Sequence, residues 1–311
     1  MGELLYALIK SARPRQWLKN LALFSSIIFS GQLFNRELIV ISIIAFAIFC
    51  AVASSNYLFN DVMDVSRDRK HPFKKLRPVA SGKLPIPIAL IASMGLLGFA
   101  LITAATINTG FFIVTFVFAL LSFSYTLFFK HFALIDVLII SFGYFIRVFA
   151  GEAATGFHLS IWLSLTVFSL SLFLAVGKRR AELTLMQNLK ESPPKETRST
   201  LLQYSERLLD TYTAMFANST WITYAFYTFL ERPPSSHWPY RYFLLEVFPP
   251  DRKWLMATIP LALFGIMRYM QLIYDGKGES PEQILTGDWP LLATVSAWGI
   301  MVIAIIYGIG G

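Results

Sequence analysis

The sequence predicts an all-α integral membrane protein, on the evidence of its composition and of the length of its apolar segments. Of the 311 residues, 55% are hydrophobic and only 15% are charged, whereas soluble domains average about 25% charged residues. The mean hydropathy is +0.56, and Phe alone occurs 28 times. This composition excludes an ordinary soluble enzyme.

Nine apolar segments are long enough to form transmembrane helices, since the hydrocarbon core of a bilayer needs about 20 residues of helix. They lie at 18–35, 38–59, 87–107, 110–129, 132–150, 160–177, 213–230, 254–274 and 289–309. We expect the first to be a retained helix and not a cleaved signal peptide. No soluble domain is left over, so we predict a single transmembrane domain over 1–311. The only cysteine, Cys50, excludes an intramolecular disulfide.

The distribution of Lys and Arg predicts a cytoplasmic N-terminus. In that orientation 20 of the 27 basic residues lie in inner segments and 5 lie in outer loops, which agrees with the positive-inside rule. The net charge of +8 is therefore concentrated on one side of the membrane. About half of these basic residues can be explained by contact with anionic lipid headgroups alone.

An acid cluster follows the second predicted span. Asn60, Asp64 and Asp68 are spaced i, i+4, i+8 and fall on one helix face, with Asp61 about 100° away. Such a stack of like charges is unfavourable unless a cation neutralises it. Carboxylate and amide oxygens suit Mg²⁺, which commonly binds one or two carboxylates together with substrate phosphates. We therefore predict these four as Mg²⁺ ligands; the alternative is a solvated acidic helix end.

Basic residues follow the acid cluster directly, in the stretch RKHPFKKLRPVASG from 69 to 82. A metal-bound diphosphate needs cationic side chains for its leaving charge. Arg77 precedes Pro78, which restricts its backbone, so we predict Arg77 as a fixed phosphate ligand. The other basic residues of this stretch are expected to face lipid or solvent.

The pattern Asn60-Asp61-x-x-Asp64-x-x-x-Asp68, followed by Arg77-Pro78 and Ser81-Gly82, resembles the first aspartate-rich motif of the UbiA superfamily of intramembrane prenyltransferases. The resemblance implies a bundle of nine transmembrane helices. It also implies a cytoplasm-facing active site that binds a diphosphate through Mg²⁺.

The chain departs from that superfamily at the second motif. Ordinary members carry two Asp residues four apart after the sixth span, whereas this chain reads GKRRAEL at 177–183, with one acid, Glu182. Extra cations suit a substrate with a further phosphate, such as phosphoribosyl pyrophosphate (PRPP). Further stretches, among them RPRQWLKN at 13–20 and Pro281-Glu282, resemble the decaprenyl-phosphate phosphoribosyltransferases, a branch of the superfamily. A basic stop-transfer cluster is the alternative interpretation of GKRRAEL.

This resemblance implies a reaction and a set of site residues. A polyprenyl phosphate oxygen attacks C1 of PRPP and pyrophosphate leaves, in precursor synthesis for a bacterial cell wall. No general base is needed, because the phosphate is already ionised. We predict catalytic roles for Asp61, Asp64, Asp68 and Glu182. Substrate contacts are predicted for Lys19, Asn20, Asn60, Arg77, Tyr125, Lys130, Lys178, Arg179 and Arg268, with Lys19 and Asn20 on the lipid phosphate.

Several roles stay open at this point. Glu182 either ligates a second Mg²⁺ or holds the ribose hydroxyls. Asp136 is at the active-site side or is the partner of a cation such as Lys130. Arg147 is expected to snorkel or to pair with Glu152.

Two rival functions remain. A conventional prenyltransferase would move a prenyl group from a prenyl diphosphate to an aromatic acceptor or haem, and the basic second motif argues against it. A transporter for an anionic metabolite would place charges near the bilayer midplane, whereas here the acids gather at one border. We expect the bilayer of the bacterial plasma membrane as the surroundings and no nucleic acid partner. A homo-oligomer stays open.

Overall fold

The computed structural model describes residues 2–70, 74–188, 203–231, 253–278 and 280–309, and the regular elements in these ranges are all helical. The α-helices, numbered in chain order, are α1 (Gly2–Ala12), α2 (Ser25–Phe29), α3 (Arg36–Met63), α4 (Val65–Asp68), α5 (Ile86–Ile107), α6 (Thr109–Leu127), α7 (Ile135–Thr155), α8 (Ile161–Asn188), α9 (Glu206–Leu230), α10 (Ile259–Tyr274), α11 (Pro281–Gly287) and α12 (Trp289–Ala304). Short 3₁₀ segments cover Pro14–Phe24, Lys74–Leu76, Phe129–His131 and Trp254–Thr258, and a π-helical turn covers Ile305–Ile309.

Seven helices in the described part of the chain are long and apolar enough to cross a membrane. They are Arg36–Met63, Ile86–Ile107, Thr109–Leu127, Ile135–Thr155, Ile161–Leu185, Trp254–Tyr274 and Trp289–Ile309. Each matches one of the predicted spans, so the protein is an all-α, multi-pass membrane protein. The count of nine is not confirmed.

The two remaining predicted spans differ from expectation for separate reasons. The segment predicted at 18–35 consists of the 3₁₀ stretch Pro14–Phe24 and the five-residue helix α2. The segment at 213–230 lies within α9, which is 25 residues long but carries polar residues such as Asn218 and Thr220 along its length.

The outer surface of the bundle is apolar. Large side chains on it are widely exposed, for example Ile91 at 73%, Ile102 at 72% and Ile161 at 78%. A soluble protein rarely exposes contiguous apolar area on this scale. These faces are therefore lipid contacts.

Side-chain caps fix where several helices begin. Asn35 accepts hydrogen bonds from the backbone N–H groups of Glu37 and Leu38 at the start of α3, and Asn108 does the same for Phe111 in α6. Within a bilayer such caps matter more than usual, because water cannot satisfy the first N–H groups of a helix.

A glycine permits the close packing of the N-terminal segment on α7. A Cβ atom at Gly151 would lie 2.0 Å from the backbone oxygen of Leu23, so only glycine fits there. Around this crossing, buried side chains from α3, α5, α6 and α7 form one core cluster, including Phe49, Phe111 and Ile146. The segment that carries Lys19 and Asn20 is thereby held against the bundle.

Candidate active site

The acid cluster keeps its helical spacing across the end of α3. The helix ends at Met63, and Asp64 adopts φ −94°, ψ 5° before the short helix α4 begins. Backbone bonds nevertheless continue from Asp64 N–H to Asn60 O at 2.9 Å and from Asp68 N–H to Asp64 O at 2.8 Å. Asn60, Asp64 and Asp68 therefore follow one another at single-turn intervals, as their spacing predicts.

Basic side chains from four parts of the chain contact the three carboxylates. Asp61, which is 1% exposed, accepts a short hydrogen bond from Arg13. One nitrogen of Arg77 lies 2.7 Å from Asp68 Oδ2 and 3.4 Å from Asp61 Oδ1. The remaining contacts are Lys130 Nζ to Asp64 Oδ1 at 2.7 Å and Arg67 to Asp64 at 3.7 Å. Each of the three carboxylates thus has at least one basic partner within the cluster.

The loop that carries Arg77 is folded back onto the bundle. Val79 and Leu84 are buried in a core cluster with Leu58 of α3. Arg69 donates to the carbonyl of Ala80 at 3.2 Å, and Gly82 adopts φ +80°. This anchoring places the Arg77 guanidinium at the end of α3.

The cluster offers the chemistry of a Mg²⁺ site. All four predicted ligands have hard oxygen donors, and one Arg77 nitrogen contacts both Asp61 and Asp68, so those carboxylates lie within two hydrogen-bond lengths of each other. In the described ranges, no three His, Cys, Asp or Glu side chains already converge closely enough to hold an ion. Binding an ion would therefore require these carboxylates to exchange their basic partners for it.

The second motif lies on α8 and centres on a wholly buried arginine. Arg179 is 0% exposed, and its Nε lies 2.8 Å from Asp136 Oδ2 on α7. It also contacts Glu182 one turn further on and donates to the hydroxyl of Tyr125 at 3.3 Å. The predicted partner of Asp136 was a cation such as Lys130; the structure places Arg179 there.

Tyr204 completes this buried network from beyond the 189–202 segment. Its hydroxyl donates to Asp136 Oδ1 at 2.8 Å and accepts from the backbone N–H of Leu134 at 2.6 Å. Burial raises the pKa of the Tyr204 hydroxyl above its usual value, so it remains a donor at neutral pH. Sequence reasoning missed Tyr204, because a lone tyrosine in a polar stretch gives no signal.

An apolar cavity of about 420 Å³ lies between the N-terminal 3₁₀ segment and α7 to α12. Its walls are largely apolar, with Leu18, Phe173, Leu285 and Trp298 among them. Several polar side chains also line it, among them Lys19, Tyr144, Tyr269 and Glu282. Lys19 Nζ lies 2.5 Å from Glu282 Oε1.

Positive charge gathers around Lys19. Lys178, Arg147 and Arg13 are near enough for their charges to act on it. Arg147 is buried, donates from Nε to Asn20 Oδ1 at 2.7 Å and lies over the ring of Phe118. The predicted pairing of Arg147 with Glu152 is not seen. The Glu152 carboxylate lies 3.3 Å from His158 instead.

Arg268 has a surface partner. Its guanidinium donates to both carboxylate oxygens of Asp288, at 3.1 and 2.7 Å, and to Gln271 at 2.8 Å. This pairing lowers the pKa of Asp288 below its usual value. The predicted contact of Arg268 with phosphate would require it to leave Asp288.

Comparison with known proteins identifies relatives of this chain. The model of the UbiA prenyltransferase family matches residues 21–184. A decaprenyl-phosphate phosphoribosyltransferase from Mycolicibacterium smegmatis is 33% identical over 98% of this chain and 94% of its own length. Another with that name, from Corynebacterium glutamicum, is 31% identical over 96% of this chain and 86% of its own.

The fold has solved counterparts. A UbiA homologue from Archaeoglobus fulgidus, bound to GPP and Mg²⁺, superposes with a TM-score of 0.69 over 96% of this chain and 99% of its own, at 18% sequence identity. At that identity the likeness establishes the architecture and leaves the substrate to be argued from the site.

Proposed function

The chain belongs to the UbiA prenyltransferase family, and on that premise we propose that it transfers 5-phosphoribose from PRPP to a polyprenyl phosphate of the decaprenyl type. The observation that carries the proposal is the second motif, where Lys178, Arg179 and Arg180 stand in place of a second pair of carboxylates. Arg179 and Arg180 pair with carboxylates of the chain, so Lys178 is the member of this motif that we assign to the additional phosphate of the donor. The names of the relatives agree with the proposal.

The acid cluster is the proposed site of the pyrophosphate of PRPP. Asn60, Asp61, Asp64 and Asp68 would hold Mg²⁺, which when bound neutralises charge on the leaving group. Arg77 and Lys130, which now balance these carboxylates, would then turn to the pyrophosphate oxygens. Such pre-positioned cations stabilise charge as it develops on the leaving group.

The cavity headed by Lys19 is the proposed site of the lipid. Its apolar walls suit the first isoprene units of the chain, and Lys19 at its head would bind the phosphate. Asn20 is 0% exposed and oriented by Arg147, so its predicted contact with the lipid phosphate would need a local rearrangement.

The reaction needs no proton transfer. An oxygen of the lipid phosphate forms a bond to C1 of the ribose, and the bond from C1 to the pyrophosphate oxygen breaks, with its electron pair leaving on pyrophosphate. The attacking phosphate is largely ionised at neutral pH, since its second pKa is near 6. PRPP is a cytosolic metabolite, so we place the site on the cytoplasmic side of a bacterial plasma membrane.

A radiolabel transfer assay with the purified protein tests the proposal. One reaction contains PRPP labelled in the ribose together with polyprenyl phosphate and Mg²⁺; the other contains labelled prenyl diphosphate with 4-hydroxybenzoate. We expect label to move from PRPP into the lipid phase and EDTA to abolish the transfer. Transfer only from the prenyl diphosphate would refute the proposal and identify a conventional prenyltransferase.

A further inference from the structure

Two buried polar atoms in the cavity have no hydrogen-bond partner among the described residues. They are Oε2 of Glu282 and the hydroxyl oxygen of Tyr269, on residues that are 7% and 5% exposed. A buried polar group left without a partner destabilises the state in which it is buried. Both residues line the cavity but their two atoms are almost inaccessible as placed, so a small rotation of each side chain would present its polar atom to a ligand.

Glu282 is fixed in place by its other oxygen. Oε1 lies 2.5 Å from Lys19 Nζ and accepts a hydrogen bond from the Tyr144 hydroxyl at 3.4 Å. Lys19 also lies over the ring of Tyr144, 5.4 Å from its centroid. The carboxylate is thus held beside the cation that we assign to the lipid phosphate, with one oxygen left over.

Tyr269 is brought to the same region by a glycine of the second motif. A Cβ atom at Gly177 would lie 2.9 Å from Cε1 and 3.2 Å from the hydroxyl of Tyr269. The ring also packs edge-on against Phe173, with centroids 5.3 Å apart. Close packing on Gly177 places the hydroxyl next to the Lys178 turn of α8.

We propose that Glu282 and Tyr269 bind a ribose hydroxyl of the donor next to C1, and that they select ribose over 2-deoxyribose. This inference rests on the proposed function. The lipid phosphate bound to Lys19 must reach C1 of the ribose. The Glu282 carboxylate, which is next to Lys19, would therefore lie close to C1 and to the hydroxyl on C2. Sequence reasoning gave Glu282 no role.

The chemistry of the two free atoms favours a hydroxyl over a second phosphate. A carboxylate oxygen accepts a hydrogen bond from a hydroxyl but repels a phosphate. The Tyr269 hydroxyl can donate to the same ribose oxygen. A prenyl diphosphate carries no hydroxyl, so this pair of residues would have no hydroxyl to bind on that donor.

The test compares kcat/KM for PRPP and for its 2-deoxyribose analogue in the wild type, Glu282→Gln and Tyr269→Phe. We expect the wild type to prefer PRPP and Glu282→Gln to lose about tenfold or more of that preference, because hydrogen bonds to charged groups are the strong ones. Tyr269→Phe should lose a smaller part. Asp275→Asn is the control, since it removes an exposed carboxylate at the end of α10, and its preference should equal that of the wild type.

The outcomes separate the two proposals. If the wild type transfers no label from PRPP, the proposed function fails and this inference fails with it. If the wild type transfers label but both variants keep its preference for PRPP, only this inference is overturned. Glu282→Gln could lose activity with both donors through its effect on Lys19, and the preference of Tyr269→Phe for PRPP then decides. An unchanged preference for PRPP overturns the inference, and a reduced preference supports it.

Discussion

The buried pair of Arg179 and Asp136 gives the sharpest prediction about stability. Both side chains are 0% exposed, and their atoms are 2.8 Å apart. Asp136→Asn leaves the guanidinium buried with Glu182 as its remaining carboxylate. Removal of one member of a buried ion pair costs about 3–5 kcal/mol, and the remaining contact places the expected loss at the lower end.

A loss of about 3 kcal/mol corresponds to a fall in Tm of about 6 °C for a protein of this size, at roughly 2 °C per kcal/mol. Thermal unfolding of the purified protein in detergent measures the fall. Asp210→Asn is the matched control: Asp210 lies 2.7 Å from Arg180, but its side chain is 42% exposed. That exposed pair is expected to contribute less than about 1 kcal/mol.

A double variant separates the uncompensated charge from a loss of packing. If the buried positive charge causes the instability, adding Arg179→Met to Asp136→Asn removes that cause, and Tm should recover at least half of its fall. A double variant that is no more stable than Asp136→Asn would refute this reasoning. So would a Tm of Asp136→Asn equal to that of the wild type.

Three further predictions concern the site and its surroundings. Asp64→Asn should remove most transferase activity while leaving the protein folded in detergent, and a fully active variant with the wild-type response to Mg²⁺ would rule out the metal assignment. Lys178→Ala should raise KM for PRPP about tenfold or more, as expected for a charged contact, and unchanged kinetics would remove Lys178 from the site. Asp288→Asn keeps the cap on Leu291 but loses the ion pair with Arg268, so its Tm at pH 7 should lie below that of the wild type. Because the pKa of Asp288 is lowered in the folded state, this difference is fully present above the unfolded pKa of about 4 and is lost only as the pH falls through the lower pKa of the folded state. A difference that persists below that folded-state pKa would contradict the ion-pair explanation.

The apolar runs predicted most of the fold because length and hydropathy are local properties. The N-terminal segment is where this reasoning fails. Its 18–35 run is apolar enough to suggest one helix, yet the chain forms a 3₁₀ stretch and the short α2. The close approach of Leu23 to Gly151 is a contact between residues far apart in sequence, and no local pattern predicts it.

The acid cluster could be predicted because it is a local sequence pattern, whereas the role of Tyr204 depends on a contact between residues far apart in sequence. The spacing of Asn60, Asp64 and Asp68 is a helical repeat within nine residues, and the structure keeps it through two backbone bonds. Tyr204 reaches Asp136 across 68 positions. Arg13 could be predicted only in part. The sequence shows that it precedes a proline, but its contact with Asp61 depends on the packing of the N-terminal segment.

Arg179 shows how the basic second motif can serve a phosphate donor without touching it. Its charge is already opposed by Asp136 and Glu182, and direct contact with phosphate would require it to leave one of these carboxylates in a buried place, which is costly. Arg77 and Lys130 are different, because their carboxylate partners would gain Mg²⁺ when the donor binds. A metal-bound diphosphate brings a cation for the acids and an anion for the bases, so both sets exchange partners together. On this argument we expect Arg77 and Lys130 to contact the donor, and Arg179 to position Glu182 and Tyr125 around it.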